Sequence, residues 1–581
     1  MTWRPSHGRG DTATSATPPA LDLRRGVADR MEGTTGRQGA GSQRIILVSN
    51  RGPVSFSVDP QSGKFESQPG AGGVVSGLLS ATRQRPVTWV AVAMSDADRA
   101  IARAHEGGEG HVVRDFPNIS LRLVDTDEDV YRRYYDGISN RVLWFIQHYL
   151  LQPTRRPLPA RTSNDWEEGY RVVNEAVAQT VIDELDAAGD ATPVMFHDYH
   201  LYLAPQIVRE QRPWARLTHF VHIPWPEARY WELAPEVITQ GVFAGLAAND
   251  MIGFQTARDA RNFLDGAQRF LPDVAAASAA PGEVGALLVE GRRVSARVYP
   301  IAVAPTEVYE QANAEPDAET AQLLAQARPT RDHKLILRVD RVEPTKNIVA
   351  GFRAYERLLQ RNKRLRGRVT FLALLVPSRE GLAEYRAVMR KTQQTIERIN
   401  QRYGTDTWQP IIAVFGNDRA RALACMRQYD ALLVNPLLDG MNLVVKEGAL
   451  VNERAGVTIL SRTAGAFEQL GDYALGVPPT DIVALSEKLL EALTMSPRER
   501  RERSSAMLRL LLKESATSWL QAQLRDLKTQ VSRPQMVYRT DTASLRRVAD
   551  LPDLPDAETL ARETLMAARH ALPTPASEAH A

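Results

Sequence analysis

The chain has 581 residues, more than one hydrophobic core usually serves, so at least two domains are expected. Apolar residues make up 43% and charged residues 24%, and 72 basic against 69 acidic side chains leave a formal charge of only +3. That balance, with no concentrated basic face, argues against a nucleic-acid partner, and no stretch is long and apolar enough to span a bilayer.

In chain order, residues 1–42 are rich in Gly, Ser, Thr, Arg and Pro and are expected to be disordered. They hold no apolar core for a signal peptide, so Arg24-Arg25 is not read as an export signal and a cytoplasmic location is expected. From Ile45 onward, short β-branched runs alternate with longer amphipathic ones. Strands are predicted at 45–49, 88–93, 194–197, 217–223, 251–254 and 297–301, then at 334–339, 369–376, 411–415, 431–435 and 457–461. Several are apolar throughout, as parallel strands covered on both faces should be. Helices are predicted at 166–187, 347–359, 382–403 and 482–495. This alternation predicts an α/β fold of doubly wound, Rossmann-like domains. The proline-punctuated stretch 303–332 separates a domain over 43–330 from a second over 331–530, whose last helix can cross back to the first. A tail, 531–581, is expected to be largely disordered. Ligands of such paired domains bind at the carboxyl ends of the strands, in the cleft between them.

The lone cysteine, Cys425, lies in an apolar run and is read as a buried hydrophobe in a reducing compartment. The basic cluster 498–503 is read as a solvated helix start. No histidine spacing suggests a metal, and neither a metal nor a cofactor is expected.

Polar motifs sit where strands end. Arg51, in Ser49-Asn50-Arg51-Gly52-Pro53 after the first strand, can hold a phosphate through two hydrogen bonds or can be a surface arginine in a turn. Gly70-Ala71-Gly72-Gly73 precedes a helical run and can bring backbone amides to a phosphate or sugar, although a hairpin loop would look the same. Phe196-His197-Asp198-Tyr199-His200 and Phe220-Val221-His222-Ile223-Pro224-Trp225-Pro226 offer acceptors, donors and a stacking face for sugar hydroxyls. Arg341 and Lys346, in Arg341-Val342-Glu343-Pro344-Thr345-Lys346-Asn347, place two cations at a strand-to-helix junction, where they can neutralise a departing diphosphate. The longest string, Asn435 to Glu447, ends a strand, turns at Asp439-Gly440 and opens a helix near Met441. That helix N-terminus can receive a diphosphate, Asp439 can take sugar hydroxyls, and Glu447 is placed for ribose hydroxyls.

In this order the segments resemble glycosyltransferase family 20 from about Ile45 to Leu527, and the combination is more specific than any one piece. Tyr135 with Ser139-Asn140, Val142-Leu143-Trp144 and Pro377-Ser378-Arg379 add to it. The resemblance implies a GT-B fold and a retaining glucosyl transfer from UDP-, GDP- or ADP-glucose to glucose 6-phosphate, forming trehalose 6-phosphate. It implies Arg51, Tyr135, Trp144, Asp198 and Arg379 on the acceptor, with Gly72, Gly73, His222, Arg341 and Lys346 on the donor. The donor set continues through Asp439, Gly440, Met441, Asn442, Leu443 and Glu447, and catalysis falls to Arg341, Lys346, Asp198 and His222. In that mechanism the acceptor attacks from the face the nucleotide leaves and a diphosphate oxygen takes its proton. Accordingly, no pair of carboxylates of the glycosidase kind is visible.

Three departures stand out: Val92 for a second pocket tryptophan, Asn347 for a glycine, and Leu438 for an arginine. They point toward relatives that join cyclitol phosphates, so that acceptor class remains an alternative, as does a non-catalytic sensor of sugar phosphate. A homo-oligomer is left open. Asp125-Thr126-Asp127 resembles a phosphatase nucleophile motif but lies inside the synthase-like region, and the residues after Thr529 are too few for another catalytic domain.

Overall fold

The computed structural model describes residues 43–531, except 60, 71–72, 84, 105–110, 114–115 and 153–156. The expectations for 1–42, for Gly72 and for the tail beyond residue 531 lie outside the described residues.

Ile45–Ser49 is apolar up to its last residue, Ser49, and buried at every position, which suits the middle of a covered parallel sheet. It pairs in parallel with Val87–Val92 on one side and Pro193–His197 on the other, both also buried throughout. Among the described residues this sheet has ten strands. Beyond Pro193–His197 come Arg216–Phe220, Met251–Phe254 and Arg292–Val298, all parallel. The antiparallel strands Glu283–Val289 and Val274–Ala277 finish that edge, and Ile119–Val124 with His111–Val112 finishes the other. A second sheet of six parallel strands runs Ile411–Phe415, Val369–Val376, Lys334–Arg341, Ala431–Val434, Val457–Ser461 and Leu475–Val477 in space. The chain passes between the sheets through helices Pro305–Asn313 and Ala318–Ala327.

Some predicted elements are shorter or differently wound. The strand expected over 217–223 ends at Phe220: Val221 still gives its amide to Gly253 of the neighbouring strand, but the chain then leaves the sheet toward Pro224 and Pro226. The helix expected from Trp166 begins with Trp166–Arg171 wound with i→i+5 hydrogen bonds before becoming α-helical at Val172–Ala188. It packs on a second such segment, Arg133–Leu143. A side chain at Gly169 would sit 2.5 Å from Arg133 Cβ, and one at Gly137 would sit 2.8 Å from Asp165 Oδ2, so both glycines permit the close approach. The hairpin Val54–Val58 with Phe65–Pro69 and the edge strands escaped the pattern because they are short and half exposed.

The last described helix, Ala516–Val531, returns to the first sheet. Trp519 Nε1 donates to the Tyr299 carbonyl at 2.9 Å, and Asp526 accepts from Tyr299 Oη at 2.8 Å and pairs with Arg297 at 3.3 Å. Cys425 is buried, and burial pushes its thiol up to about 12. The basic cluster 498–503 does open a helix, Pro497–Leu511, capped by Ser496, but Arg500 is not solvated as expected. It turns inward to Asp430, whose side chain is 1% exposed and also meets Arg328 at 3.1 Å and Lys334 at 3.5 Å.

Burial alone would raise the Asp430 carboxyl, yet these cations hold it below its ordinary value. The folded value is the depressed one, so this stabilisation is full above the ordinary carboxylate value of about 4 and is lost as pH falls through the folded value. Asp430→Asn leaves four cations, Arg328, Lys334, Arg454 and Arg500, around a neutral amide, and a loss of about 3 kcal/mol is expected from the urea midpoint at neutral pH, with a smaller difference from wild type in acid.

Candidate active site

The carboxyl ends of the central strands carry the polar side chains. Arg51, just after Ile45–Ser49, donates from Nη2 to Tyr135 Oη at 3.3 Å. Tyr135 is presented by the Arg133–Leu143 segment, and i→i+5 winding of this kind recurs at functional sites. Arg379 lies beyond Val369–Val376 in a left-handed conformation, φ +46°. It donates to Tyr385 Oη at 2.6 Å and to Tyr199 Oη at 3.0 Å, and its guanidinium sits 4.1 Å from the centre of the Trp144 ring. Burial tends to raise the Tyr135 phenol, but Arg51 and Arg379 outweigh it and hold the group below its usual value. Two cations thus act on one phenol, an arrangement suited to binding an anion.

Arg341 closes Lys334–Arg341, and its guanidinium lies 5.8 Å from the centre of the same Trp144 ring. Glu343 holds both arginines: it is 1% exposed, accepts from Arg341 at 3.3 Å and pairs with Arg379 at 3.5 Å. Lys346 Nζ donates to Asp439 Oδ2 at 2.6 Å, and Asn442 Nδ2 reaches the same oxygen at 3.1 Å. Burial opposes the charge on both Lys346 and Asp439, but their mutual attraction prevails, raising the lysine and lowering the carboxyl. Asp439 is therefore tied to Lys346 rather than serving as a helix cap. The helix starts at Leu443, two residues later than expected, because Asn442 takes φ +76°.

Gly440, Met441 and Leu443 belong to this turn and the start of its helix. A side-chain carbon at Gly440 would lie 2.1 Å from the His222 carbonyl oxygen, so the turn presses directly on the first sheet. Gly73 opens helix Gly73–Thr82, and a carbon there would lie 3.0 Å from Leu443 Cδ1, which places Gly73 against the same helix start. Met441 is buried, and Glu447 accepts from Arg419 at 2.8 Å, a partner that sequence spacing did not suggest. Lys446, in the same string, is fully buried and donates to the Ile301 carbonyl at 2.8 Å, anchoring the helix to the chain leaving the first sheet.

Asp198 and His222 lie between the two groups. Asp198 takes φ +72°, and its backbone amide donates to the Phe220 carbonyl at 2.9 Å. Burial pushes its carboxyl up to about 7 against the amides of Tyr199 and His222 and the charges of Arg379 and Arg341, and Oδ1 has no protein partner. His222 is held neutral by burial, at about 3. Trp144 Nε1, His200 Nε2 and Ser139 Oγ are also buried without protein partners, the pattern of a pocket built for a polar ligand.

Arg51, Tyr135, Trp144, Arg341, Lys346, Arg379 and Asp439 are linked through shared contacts, whereas Glu447 is engaged by Arg419 and Gly72 lies outside the described residues. Glu343, Tyr199 and Tyr385 were missed as site residues. The first two stood inside quoted strings, and Tyr385 had no signal because only its tertiary contact to Arg379 marks it. Of the departures, Asn347 has a physical account: it takes φ +56°, which glycine and asparagine adopt most readily, and its Nδ2 donates to the Pro479 carbonyl at 2.7 Å. Val92 is buried in its strand and Leu438 is half-buried.

Two largely parallel α/β sheets with charged side chains gathered at their strand ends, matching solved structures of trehalose-phosphate synthases, define a glycosyltransferase of the GT-B type. The model of glycosyltransferase family 20 matches residues 43–529, and the chain belongs to that family. It is 30% identical to the trehalose-6-phosphate synthase of Citrobacter koseri, over 87% of this chain and 100% of that one. It is equally 30% identical to a validamine 7-phosphate valienyltransferase of Streptomyces hygroscopicus, over 86% of this chain and 97% of that one. Among solved structures it is similar to a UDP-forming α,α-trehalose-phosphate synthase of Burkholderia xenovorans in complex with glucose 6-phosphate. That match has a TM-score of 0.70 at 31% identity, covering 84% of this chain and 100% of that one.

Gly440→Ala must push the turn away from His222, and a displacement near 1 Å costs on the order of 100-fold in rate. We expect a kcat drop of about that size by steady-state assay, accompanied by a lowered melting temperature because the packed junction is strained.

Proposed function

We propose that the chain transfers glucose from UDP-glucose to glucose 6-phosphate with retention, forming trehalose 6-phosphate and UDP. The observation that carries this reading is the single ring of Trp144 beneath Arg379 and Arg341, with Glu343 between them. A phosphate clamp, Arg51–Tyr135–Arg379, therefore adjoins a diphosphate clamp, Arg341–Lys346, within one site. In this reading 43–330 is the acceptor domain and 331–530 the nucleotide-sugar domain.

Arg51 and Arg379 bind the acceptor's phosphate, Tyr135 and Trp144 line its sugar, and Asp198 takes a hydroxyl through its unpaired Oδ1. On the donor side the proposed contacts to glucose come from Gly72, Gly73 and His222, and those to glucose and the diphosphate from Asp439 to Leu443. Glu447 takes the ribose on release from Arg419. Asp439 is bound by Lys346, and Glu343 lies between two arginines, so neither carboxylate is free to act as a nucleophile. Attack from the leaving-group face, with the diphosphate accepting the proton, is consistent with that arrangement. Arg341, Lys346 and the amides at the start of Leu443–Val451 stabilise the departing charge. A cyclitol phosphate acceptor is the second reading, favoured by the valienyltransferase relative and by Leu438 and Val92.

The deciding assay measures nucleotide release from UDP-, GDP- and ADP-glucose with and without glucose 6-phosphate, followed by mass analysis of the product. Release that depends on glucose 6-phosphate and gives a non-reducing disaccharide phosphate supports the reading. Release only with a cyclitol phosphate transfers it to the second. Arg379→Ala removes a charged hydrogen-bond donor, so the acceptor KM should rise on the order of 10- to 100-fold, and an unchanged KM would refute the phosphate clamp. Asp198 accepts a hydroxyl when ionised, so kcat/KM should climb as pH rises through about 7, and Asp198→Asn should flatten that limb.

A further inference from the structure

Behind His222 the fold places a second buried imidazole. His197, the last residue of Pro193–His197, lies with its Nδ1 3.1 Å from His222 Nε2. The rings of Phe220 and Trp519 surround the pair, with Trp519 carried by the helix that returns from the chain's end. His197 Nε2 is buried and has no protein partner. Burial, reinforced by His222 itself, keeps His197 neutral, and burial does the same for His222.

Two neutral imidazoles sharing one hydrogen bond have two arrangements. If His222 Nε2–H donated, His197 would keep an Nε2–H buried against aromatic rings with nothing to accept it. If His197 Nδ1–H donates, only a bare lone pair is left there, and an orphaned buried donor is the rarer and costlier state. The second arrangement leaves His222 with its own proton on Nδ1, as a hydrogen-bond donor.

We infer that His197 is a positioning residue that fixes the His222 ring and its Nδ1–H tautomer, so that a hydrogen-bond donor faces the nucleotide sugar. This rests on the reading of His222 as a donor-side residue. Metal-ligating histidines are oriented in the same way by the partner of their second nitrogen. Trp519 extends the support to the C-terminal helix, so the tautomer at the site depends on a segment distant in sequence.

The test is a double-mutant cycle on the full chain, in the nucleotide-release assay with the donor and acceptor it turns over. His197→Phe keeps the ring and removes the donor, and it should lower kcat on the order of 10- to 100-fold with the acceptor KM unchanged. His197→Asn puts an amide nitrogen near the Nδ1 position and should restore most of the loss. In the His222→Ala background His197→Phe should cost nothing further, because its effect passes through His222. Additive losses, or a His197→Phe variant within twofold of wild type while His222→Ala is impaired, would overturn the role of His197 alone. A fully active His222→Ala would instead remove the donor-side reading beneath it. Histidine ¹⁵N spectra of the unmodified protein, with the His222 signal identified by its loss in His222→Ala, should show the Nδ1–H form. The Nε2–H form would overturn the inference whether or not the variants fold.

Discussion

Glu343 is 1% exposed, and a carboxylate taken out of water to that degree persists only where cations meet it. Burial by itself would raise its pKa, but Arg341, Lys346 and Arg379 together hold it below the ordinary value. The attraction acts in both directions: the arginines are drawn to either side of one buried charge and so to one Trp144 ring. Arg341 comes from the strand Lys334–Arg341 and Arg379 from the loop after its neighbour, Val369–Val376. Parallel register aligns these two strand ends, Arg341 opposite Val376, and Glu343 converts that alignment into a fixed pair of cations.

The second constraint is the absence of a side chain at Gly440. The Asp439–Asn442 turn belongs to the second sheet, yet it touches the His222 carbonyl of the first, and any larger residue would force them apart. Lys446 to the Ile301 carbonyl and Trp519 to the Tyr299 carbonyl strengthen the same junction from the helices. The groups proposed to bind donor and acceptor are thus held in register by buried contacts such as these. This is where catalysis by positioning has to place its rigidity.

Much of the candidate site was readable because its chemistry lies in short strings at strand ends. Arg51, Asp198, His222, Arg341, Lys346 and Asp439 each follow an apolar run, and the order of the runs identified the family. What the strings could not show was pairing. Glu447 faces Arg419, Asp439 faces Lys346, and His197 faces His222, and each pair joins residues at least 25 positions apart. The Arg498–Arg503 cluster makes the same point, since Arg500 serves the buried Asp430 while its neighbours form exposed helical ion pairs.

By itself the sequence determined the strand–helix alternation, the parallel α/β class and the residues at the carboxyl ends. Apolar runs and polar strand ends are local properties, set by burial and by where side chains leave the sheet. The tertiary structure alone decided the i→i+5 winding that presents Tyr135, the left-handed turns at Asp198, Arg379 and Asn442, and the return of the last helix. Each of these is a strained or close-packed arrangement sustained by contacts from distant segments, so no local pattern could have specified it.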